Sequence, residues 1–379
     1  MLKYLKKCLS SVKTLYNNRS IILNTTAIQI LRRKFYMKKF LALIMVLALC
    51  VAFTACTTGG TSEAPASSTD TPAASSEAPV DTESKDDSNG QLVVGFAQVG
   101  AESGWRDAET QSIKDEAAAR GIDLKFADGQ GEQANQIKAI RTFIQQKVDV
   151  IGLAPVVDTG WDAVLKEAKD AGIPVILLDR GVTVADESLY ASFIGSDFIQ
   201  EGKDAAIELS KLMDGKGNVV ILEGTVGASA ATDRQTGFKD EIEANHKDIT
   251  ILESQTADFT RDTGKQVMET FLKSHSDIGG LYAHNDDMAL GAIEAIKAEG
   301  KKPGEDIKIV SVDGVKAAFE AMVAGELNVT VECNPLLGPQ FYDACQILKD
   351  GGTVEKWIKS DEGIYRQETA AEDIKNRQY

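Results

Sequence analysis

The stretch Gly172-Ile173-Pro174-Val175-Ile176-Leu177-Leu178-Asp179-Arg180 decides how we interpret the fold. Its apolar run is typical of a strand that is buried on both faces of a parallel sheet. The run ends at a carboxylate followed by a guanidinium, and ligands of open α/β sheets bind beyond the carboxyl ends of the strands. Asp179 and Arg180 could therefore bind a small ligand with many hydroxyls, or they could form an ion pair that only closes a loop.

Similar apolar runs alternate with helical patterns from Gln91 onward. This alternation predicts parallel sheets with helices on both faces, and the strands are too many for one compact unit. We therefore predict an α/β protein with two doubly wound, Rossmann-like domains, the first ending near Ile194. Strands are predicted at 92–97, 124–127, 150–154, 175–178, 219–222, 250–254, 281–283, 307–312 and 328–331, and helices at 105–120, 133–146, 161–171, 198–213, 261–274, 288–299 and 316–324.

The N-terminal segment differs sharply from the rest of the chain. Residues 1–55 hold ten Lys or Arg and no Asp or Glu, and Met37-Lys38-Lys39 precedes a short apolar run at 40–53. This pattern is typical of a cleaved signal region, with Met37 as the expected true start. Phe53-Thr54-Ala55-Cys56 resembles the lipobox of bacterial lipoproteins, in which the Cys is lipidated. A transmembrane anchor is the alternative, but the run is shorter than the ~20 residues that span a bilayer.

Residues 56–90 are predicted to be a lipidated Cys and a disordered linker, because Ser, Thr, Ala, Pro, Glu and Asp dominate them. The formal charge of the whole chain is −16, and removing the ten basic residues before Cys56 leaves −26. Such a surface repels nucleic acid and anionic lipid, so we expect no nucleic-acid partner and no membrane contact except the lipid. Cys333 and Cys345 make no disulfide framework and lack zinc-ligand spacing, so we expect free thiols and no metal.

Polar and aromatic side chains follow nearly every predicted strand. An aromatic face packs against sugar C–H groups, while carboxylates, amides and guanidinium groups bond hydroxyls. The alternative for Trp105 is a place in the core, but its polar neighbours favour the site. The candidates at strand ends are Glu102, Trp105, Arg106, Asp179, Arg180, Arg234, Phe259, Asn285 and Asp313.

No cofactor is expected. Gly129-Gln130-Gly131-Glu132-Gln133-Ala134 imitates a dinucleotide fingerprint, but it follows the second predicted strand and no acidic residue ends the next one. The chain also contains no Gly-x-Ser-x-Gly elbow and no Walker-type Gly-Lys loop. These features argue against an enzyme, although strand-end carboxylates could serve as acid and base.

Several segments of the sequence resemble those of the periplasmic sugar-binding proteins of ATP-driven transporters, in the ribose- and galactose-type family. They are the segment from Ala283-His284-Asn285-Asp286 to Ala292, the strand end 175–180, and Ser311-Val312-Asp313-Gly314. Segments 103–106, 127–130, 154–157, 225–229 and 258–261 are similar to the galactofuranose-binding branch of that family. The resemblance extends from about residue 92 to residue 338.

The resemblance implies a type I periplasmic binding protein fold with a hinge of several crossings. Its first lobe would comprise residues 91–194 and about 334–361, and its second lobe residues 195–333 and about 362–379. Trp105 would stack on the sugar and Phe259 would cover the opposite side, while six residues would bond hydroxyls: Arg106, Asp179, Arg180, Arg234, Asn285 and Asp313. In the ribose branch a Gln falls near Cys333 and an Asn near Ala154, and these two departures count against a pentose-specific site. Glu332 could reach into the site instead.

The function implied is that of an extracytoplasmic, lipid-anchored monomer. It would bind a monosaccharide, galactofuranose or a related sugar, and deliver it to an ABC transporter permease and its ATPase. A sugar sensor for a chemoreceptor or two-component system remains an alternative, and so does a sugar-modifying enzyme on the same fold. A repressor could share the fold, but the signal region and the acidic surface oppose it, and no basic helix-turn-helix precedes residue 92.

Overall fold

The computed structural model of this chain describes residues 90–379. The predicted signal region, Cys56 and all of the predicted linker before Gly90 lie outside the described residues. Within residues 90–379, no helix has both the length and the apolar character needed to cross a membrane.

Strands and helices alternate along the chain as predicted. The strands are β1 (Val93–Gln98), β2 (Asp123–Asp128), β3 (Val150–Leu153), β4 (Val175–Leu178), β5 (Ser192–Gly195), β6 (Lys216–Glu223), β7 (Asp248–Thr256), β8 (Gly280–Ala283), β9 (Lys308–Asp313), β10 (Val329–Glu332), β11 (Trp357–Lys359) and β12 (Ile364–Arg366). The helices are α1 (Gly104–Arg120), α2 (Gln133–Gln146), α3 (Asp162–Asp170), α4 (Phe198–Leu212), α5 (Ser229–Asn245), α6 (Arg261–Ser274), α7 (Asp286–Ala298), α8 (Lys316–Val323), α9 (Gly338–Lys349) and α10 (Ala370–Asp373).

The strands of residues 90–379 form two six-stranded sheets. The first has the order β11-β5-β4-β3-β1-β2 and the second the order β12-β10-β9-β8-β6-β7. All pairings are parallel except that of β10 with β12. All four residues of β4 are buried, which confirms that the apolar run 175–178 lies inside a parallel sheet. We call the first sheet with α1, α2, α3 and α9 the first lobe, and the second sheet with the other helices the second lobe.

The chain passes between the two lobes three times. The first crossing joins β5 to α4, the second joins β10 to α9, and the third joins β11 to β12. The second crossing returns the chain to the first lobe, where the Tyr342 hydroxyl of α9 donates to the carbonyl of Ile113 in α1. The two-domain α/β fold and its hinge of several crossings are therefore confirmed.

Each predicted strand and helix overlaps an observed one, but six observed elements were not predicted: β5, β11, β12, α5, α9 and α10. Helix α5 was not predicted because its buried face includes Arg234 and Gly237 beside Phe238 and Ile242. These two residues interrupt the apolar periodicity that identifies a helix. Gly237 allows α4 and α5 to pack closely, since a Cβ at that position would lie 2.0 Å from the carbonyl oxygen of Ile199. That close packing brings Arg234 next to the first turn of α4.

Candidate functional site

A cavity of about 260 Å³, part of which is open to the solvent, lies where the carboxyl ends of the strands of both sheets face one another. Both lobes contribute to its wall. The lining residues are Glu102, Ser103, Trp105, Arg106, Asp179, Arg180, Ala230, Arg234, Phe259, Asn285, Asp313 and Cys333.

All the residues predicted to contact a ligand line this cavity except Glu332. The carboxylate of Glu332 instead accepts hydrogen bonds from Arg377 Nη1 at 2.7 Å, the Tyr379 hydroxyl at 2.9 Å and the Gly363 amide at 3.0 Å. Successive side chains of a strand point to opposite faces, and it is the next residue, Cys333, that reaches the cavity. Glu332 therefore leaves the set of candidate ligand contacts.

The start of α1 positions the two first-lobe residues Trp105 and Arg106. Ser103 caps this helix, and its hydroxyl accepts from the amide of Arg106 at 3.2 Å. The guanidinium of Arg106 donates to the carboxylate of Asp179, at the end of β4. Arg180 does not pair closely with Asp179, because its Nε lies 3.6 Å from that carboxylate and its Nη2 donates to Glu102 instead.

Two guanidinium groups in this network keep unused donors. Arg180 is 3% exposed, and its Nε and Nη1 find no hydrogen-bond partner among residues 90–379. The same holds for Nε of Arg106, which is 1% exposed. Buried polar groups are nearly always paired, so unpaired donors at a cavity wall are places where a ligand oxygen would bind.

Arg106 is held by two residues that sequence reasoning did not identify. Glu109 lies one helical turn beyond Arg106 and accepts from its Nη1, while Gln98 of β1 donates to Glu109 at 3.0 Å. Burial alone would lower the pKa of Arg106, but the carboxylates of Asp179, Glu109 and Glu102 raise it well above its usual value. The i, i+3 spacing of Arg106 and Glu109 was the available sequence signal.

The second lobe contributes Arg234, Asn285 and Asp313. Arg234 Nε donates to Glu201 of α4 at 2.6 Å, and its Nη1 donates to the carbonyl of His284 at 2.7 Å. Its Nη2 lies 3.7 Å from Asp313, the last residue of β9. Burial raises the pKa of Asp313 well above its usual value, and Arg234 opposes that shift.

Asn285 has a structural role as well as a place in the cavity wall. Its Oδ1 accepts from the amide of Met288 at 3.0 Å and caps α7, and its Nδ2 donates to the carbonyl of Phe259 at 3.1 Å. These bonds join the end of β8 to the loop after β7. Asn285 therefore holds Phe259 in place, with one amide hydrogen left for a ligand.

Trp105 and Phe259 supply the aromatic surface. The indole Nε1 of Trp105 donates to the carbonyl of Cys333 at 2.6 Å, so the ring is fixed between the lobes. The guanidinium carbon of Arg180 lies 5.1 Å from the centre of the Phe259 ring, within the range of a cation–π contact across the cleft. Gly224 makes room for this ring, since a Cβ there would lie 2.0 Å from it.

The cavity wall combines donors with acceptors. Three guanidinium groups, of Arg106, Arg180 and Arg234, lie beside three carboxyl groups: Glu102, Asp179 and Asp313. This set of donors and acceptors, beside two aromatic rings, fits an uncharged ligand with several hydroxyls.

One group of potential metal ligands lies next to the cavity, at the chain crossings. Ligand atoms of Glu201, Cys333 and Glu362 lie within 4.8 Å of one another. Arg234 Nε is 2.6 Å from Glu201, and this buried cation occupies the place that a metal charge would take. Burial raises the pKa of the Cys333 thiol well above its usual value, so the thiol holds its proton at neutral pH. We therefore assign no metal to this group.

The sequence matches the periplasmic binding protein domain family over residues 94–350. It is 52% identical to the galactofuranose-binding protein YtfQ of Escherichia coli strain K12 over 291 residues, which cover 76% of this chain and 91% of that protein.

Two solved structures extend the comparison. The periplasmic binding protein component of the arabinose ABC transporter from Shewanella sp. ANA-3, bound to α- and β-L-arabinofuranose, is 49% identical with a TM-score of 0.74, over 76% of this chain and 96% of that one. A structure from Mycobacterium smegmatis in complex with β-D-fucofuranose is 53% identical with a TM-score of 0.74, over 76% and 95% of the two chains.

Proposed function

Because this chain belongs to the periplasmic binding protein domain family, we propose that it binds a monosaccharide in its furanose form in the cavity between the lobes. The observation that carries the proposal is a cavity wall with three guanidinium and three carboxyl groups, and with unpaired donors on Arg106 and Arg180. The relatives named for galactofuranose, arabinofuranose and fucofuranose favour the five-membered ring. Galactofuranose is our first candidate, and the related furanoses follow it.

In the proposed complex, Arg106, Asp179, Arg180, Arg234, Asn285 and Asp313 bond the hydroxyls, with Glu102 holding Arg180. Trp105 stacks on the C–H face of the sugar and Phe259 covers the second-lobe side. Carboxylates accept from hydroxyl hydrogens and guanidinium groups donate to hydroxyl oxygens. Each sugar hydroxyl can therefore act as a donor and as an acceptor. Contacts from both lobes favour the closed arrangement over an open one.

The ring form can be tested directly. Thermal-shift and calorimetric titrations with D-galactose, L-arabinose and D-fucose would find a sugar that binds, since a ligand of the native state alone raises the melting temperature. The bound sugar, labelled with ¹³C at its anomeric carbon, should then show a furanose carbon resonance, although the pyranose predominates in the free solution. Binding of a pyranose alone would refute the furanose proposal, and product formation beyond one equivalent would favour the alternative, a sugar-modifying enzyme on the same fold.

We also propose that the protein works as a lipid-anchored monomer outside the cytoplasmic membrane and delivers its sugar to an ABC transporter permease with its ATPase. The support is the signal region with the lipobox-like Phe53-Thr54-Ala55-Cys56 and the family membership. Cys56→Ser should release the protein from membranes without changing its sugar affinity. The mass of the mature chain must be measured too, since an uncleaved signal would hold the variant in the membrane for a different reason.

A further inference from the structure

Three hydrogen bonds join the lobes across the cleft, away from the three chain crossings. The amide of Gly104 donates to Asp287 Oδ2 at 2.8 Å, and the amide of Gly181 donates to Ser229 Oγ at 2.9 Å. In the third, the amide of Asp158 donates to the carbonyl of Gly227 at 2.7 Å. In each pair the donor is a first-lobe backbone amide and the acceptor belongs to the second lobe. None of these six residues lines the cavity.

Asp287 is the acceptor with the strongest physical case. It lies in the first turn of α7, and its other oxygen, Oδ1, accepts from Arg261 at 3.0 and 3.2 Å, which fixes the direction of the carboxylate. Gly104 is the first residue of α1, so the carboxylate lies at the positive end of a helix in the opposite lobe. A charged acceptor at a helix N-terminus forms a stronger bond than a neutral one.

The position of this contact connects it to the sugar site. Trp105 and Arg106 directly follow Gly104 on α1, and both line the cavity. A contact that holds the first residue of α1 against the second lobe also holds these two side chains against it. Since the contact needs both lobes, separating them breaks it, and it stabilises only the closed arrangement.

We propose that Asp287 is a closure clamp, a positioning residue that raises sugar affinity without touching the sugar, with Ser229 as a weaker second contact. The proposal rests on the proposed function, because it concerns closure around a bound sugar. The clamp adds to affinity by favouring the closed form, so its loss speeds sugar release more than it slows sugar entry.

The test compares four single variants and one double variant with the wild-type protein in calorimetric and stopped-flow titrations with D-galactose and L-arabinose. Asp287→Ala should weaken binding about tenfold to a hundredfold, mainly through faster dissociation, as expected for a charge-assisted bond. Ser229→Ala should weaken it by less, about threefold to tenfold. Asp262→Ala is the matched control, because Asp262 is an exposed carboxylate in the first turn of the neighbouring helix α6 and should leave affinity unchanged.

Gly104→Pro removes the donor, and its ring carbon Cδ takes the place of the amide hydrogen that points to Asp287 Oδ2, so the variant also pushes this carboxylate away. Proline is well tolerated at the first position of a helix, and Ser103, at φ −155° and ψ 165°, has the extended backbone that precedes a proline. Its effect and that of Asp287→Ala should be strongly non-additive in the double variant, since both break one contact. This variant also decides the proposal if Asp287→Ala fails to fold.

The outcomes separate the clamp from the proposed function. Wild-type-like affinity in Asp287→Ala, equal losses in Asp287→Ala and Asp262→Ala, or additive effects with Gly104→Pro would each overturn the clamp. If the wild-type protein binds no sugar, the proposed function fails. X-ray scattering of the sugar-free proteins would still show whether Asp287 holds the two lobes together. Asp287→Ala should then have a larger radius of gyration than the wild-type protein, and equal radii would overturn the proposal.

Discussion

Replacing Arg180 by Met should remove most of the sugar affinity while leaving the sugar-free protein at least as stable as the wild type. Arg180 offers two buried donors, Nε and Nη1, which have no partner within the described part of the chain. In the proposed complex both donate to sugar oxygens. Met keeps an unbranched apolar side chain beside Phe259 and removes every donor.

The magnitude follows from the number of bonds. Charge-assisted hydrogen bonds contribute about 1.5–3 kcal/mol each, so two of them amount to about 3–6 kcal/mol. At about 1.4 kcal/mol per factor of ten, the dissociation constant should rise roughly a hundredfold to ten-thousandfold. In the sugar-free protein, each unpaired buried donor costs about 1–3 kcal/mol, and the variant relieves two such costs. The opposing losses are the ion pair with Glu102, whose side chain is 16% exposed and can be hydrated, the longer contact of Nε with Asp179 at 3.6 Å, and the cation–π contact with Phe259.

The assay measures two quantities on one protein. They are the sugar dissociation constant, by isothermal titration calorimetry, and the melting temperature of the sugar-free protein, by differential scanning calorimetry. Arg141→Met is the control, because Arg141 forms a two-bond pair with Glu167 on the surface of the same lobe, where it is 52% exposed. The control should change neither quantity appreciably. A variant Arg180→Met that loses several degrees of melting temperature and keeps its affinity would show that Arg180 is structural, and the reasoning would fail.

Three further predictions concern neighbouring positions. Asp179→Asn keeps the size of the side chain and removes its charge, so calorimetry should show binding about tenfold weaker or more, and unchanged affinity would count against a direct contact. Gly224→Ala should displace the Phe259 ring and weaken binding, which a crystal structure of the variant would show. Burial raises the pKa of Glu362 to about 8, so the folded protein holds a proton that the unfolded chain has released. Stability should therefore fall between about pH 5 and pH 8, and in thermal melts of Glu362→Gln that fall should be smaller; part of it should remain, because burial also raises the pKa of Asp286, to about 6.

The sequence predicted the position of a site residue best where that residue comes directly after a buried strand. The run 175–178 predicted a buried parallel strand, and its end places Asp179 and Arg180 at the cavity wall, as the general rule for open α/β sheets requires. The position of Glu332 was missed because one residue of offset on a strand reverses the side to which a side chain points. Cys333, the next residue, takes the place in the wall.

The pairing of charges could not be predicted from the sequence. Asp179 pairs with Arg106, 73 residues earlier, and Arg180 pairs with Glu102, 78 residues earlier. Which carboxylate meets which guanidinium depends on how far α1 extends over the end of β4, and this is decided by packing rather than by local preference. The contact of Arg234 with Glu201 likewise depends on the close approach of α4 and α5.

Backbone conformation gives a physical reason why local propensities hide this site. Three lining residues, Asp179, Phe259 and Asp313, have positive φ angles of 60°, 59° and 125°, a region that non-glycine residues seldom adopt. Each such residue costs roughly 1–3 kcal/mol, and it persists only where surrounding contacts hold it. For Asp179 these include its amide, which donates to Ile194 at 2.9 Å, and the bond from Arg106 to its carboxylate. The strained strand ends and the unpaired donors of Arg180 lower the stability of the sugar-free protein at the same wall. A sugar that pairs with those donors would remove the cost of leaving them unpaired. Sugar binding would therefore stabilise the closed form.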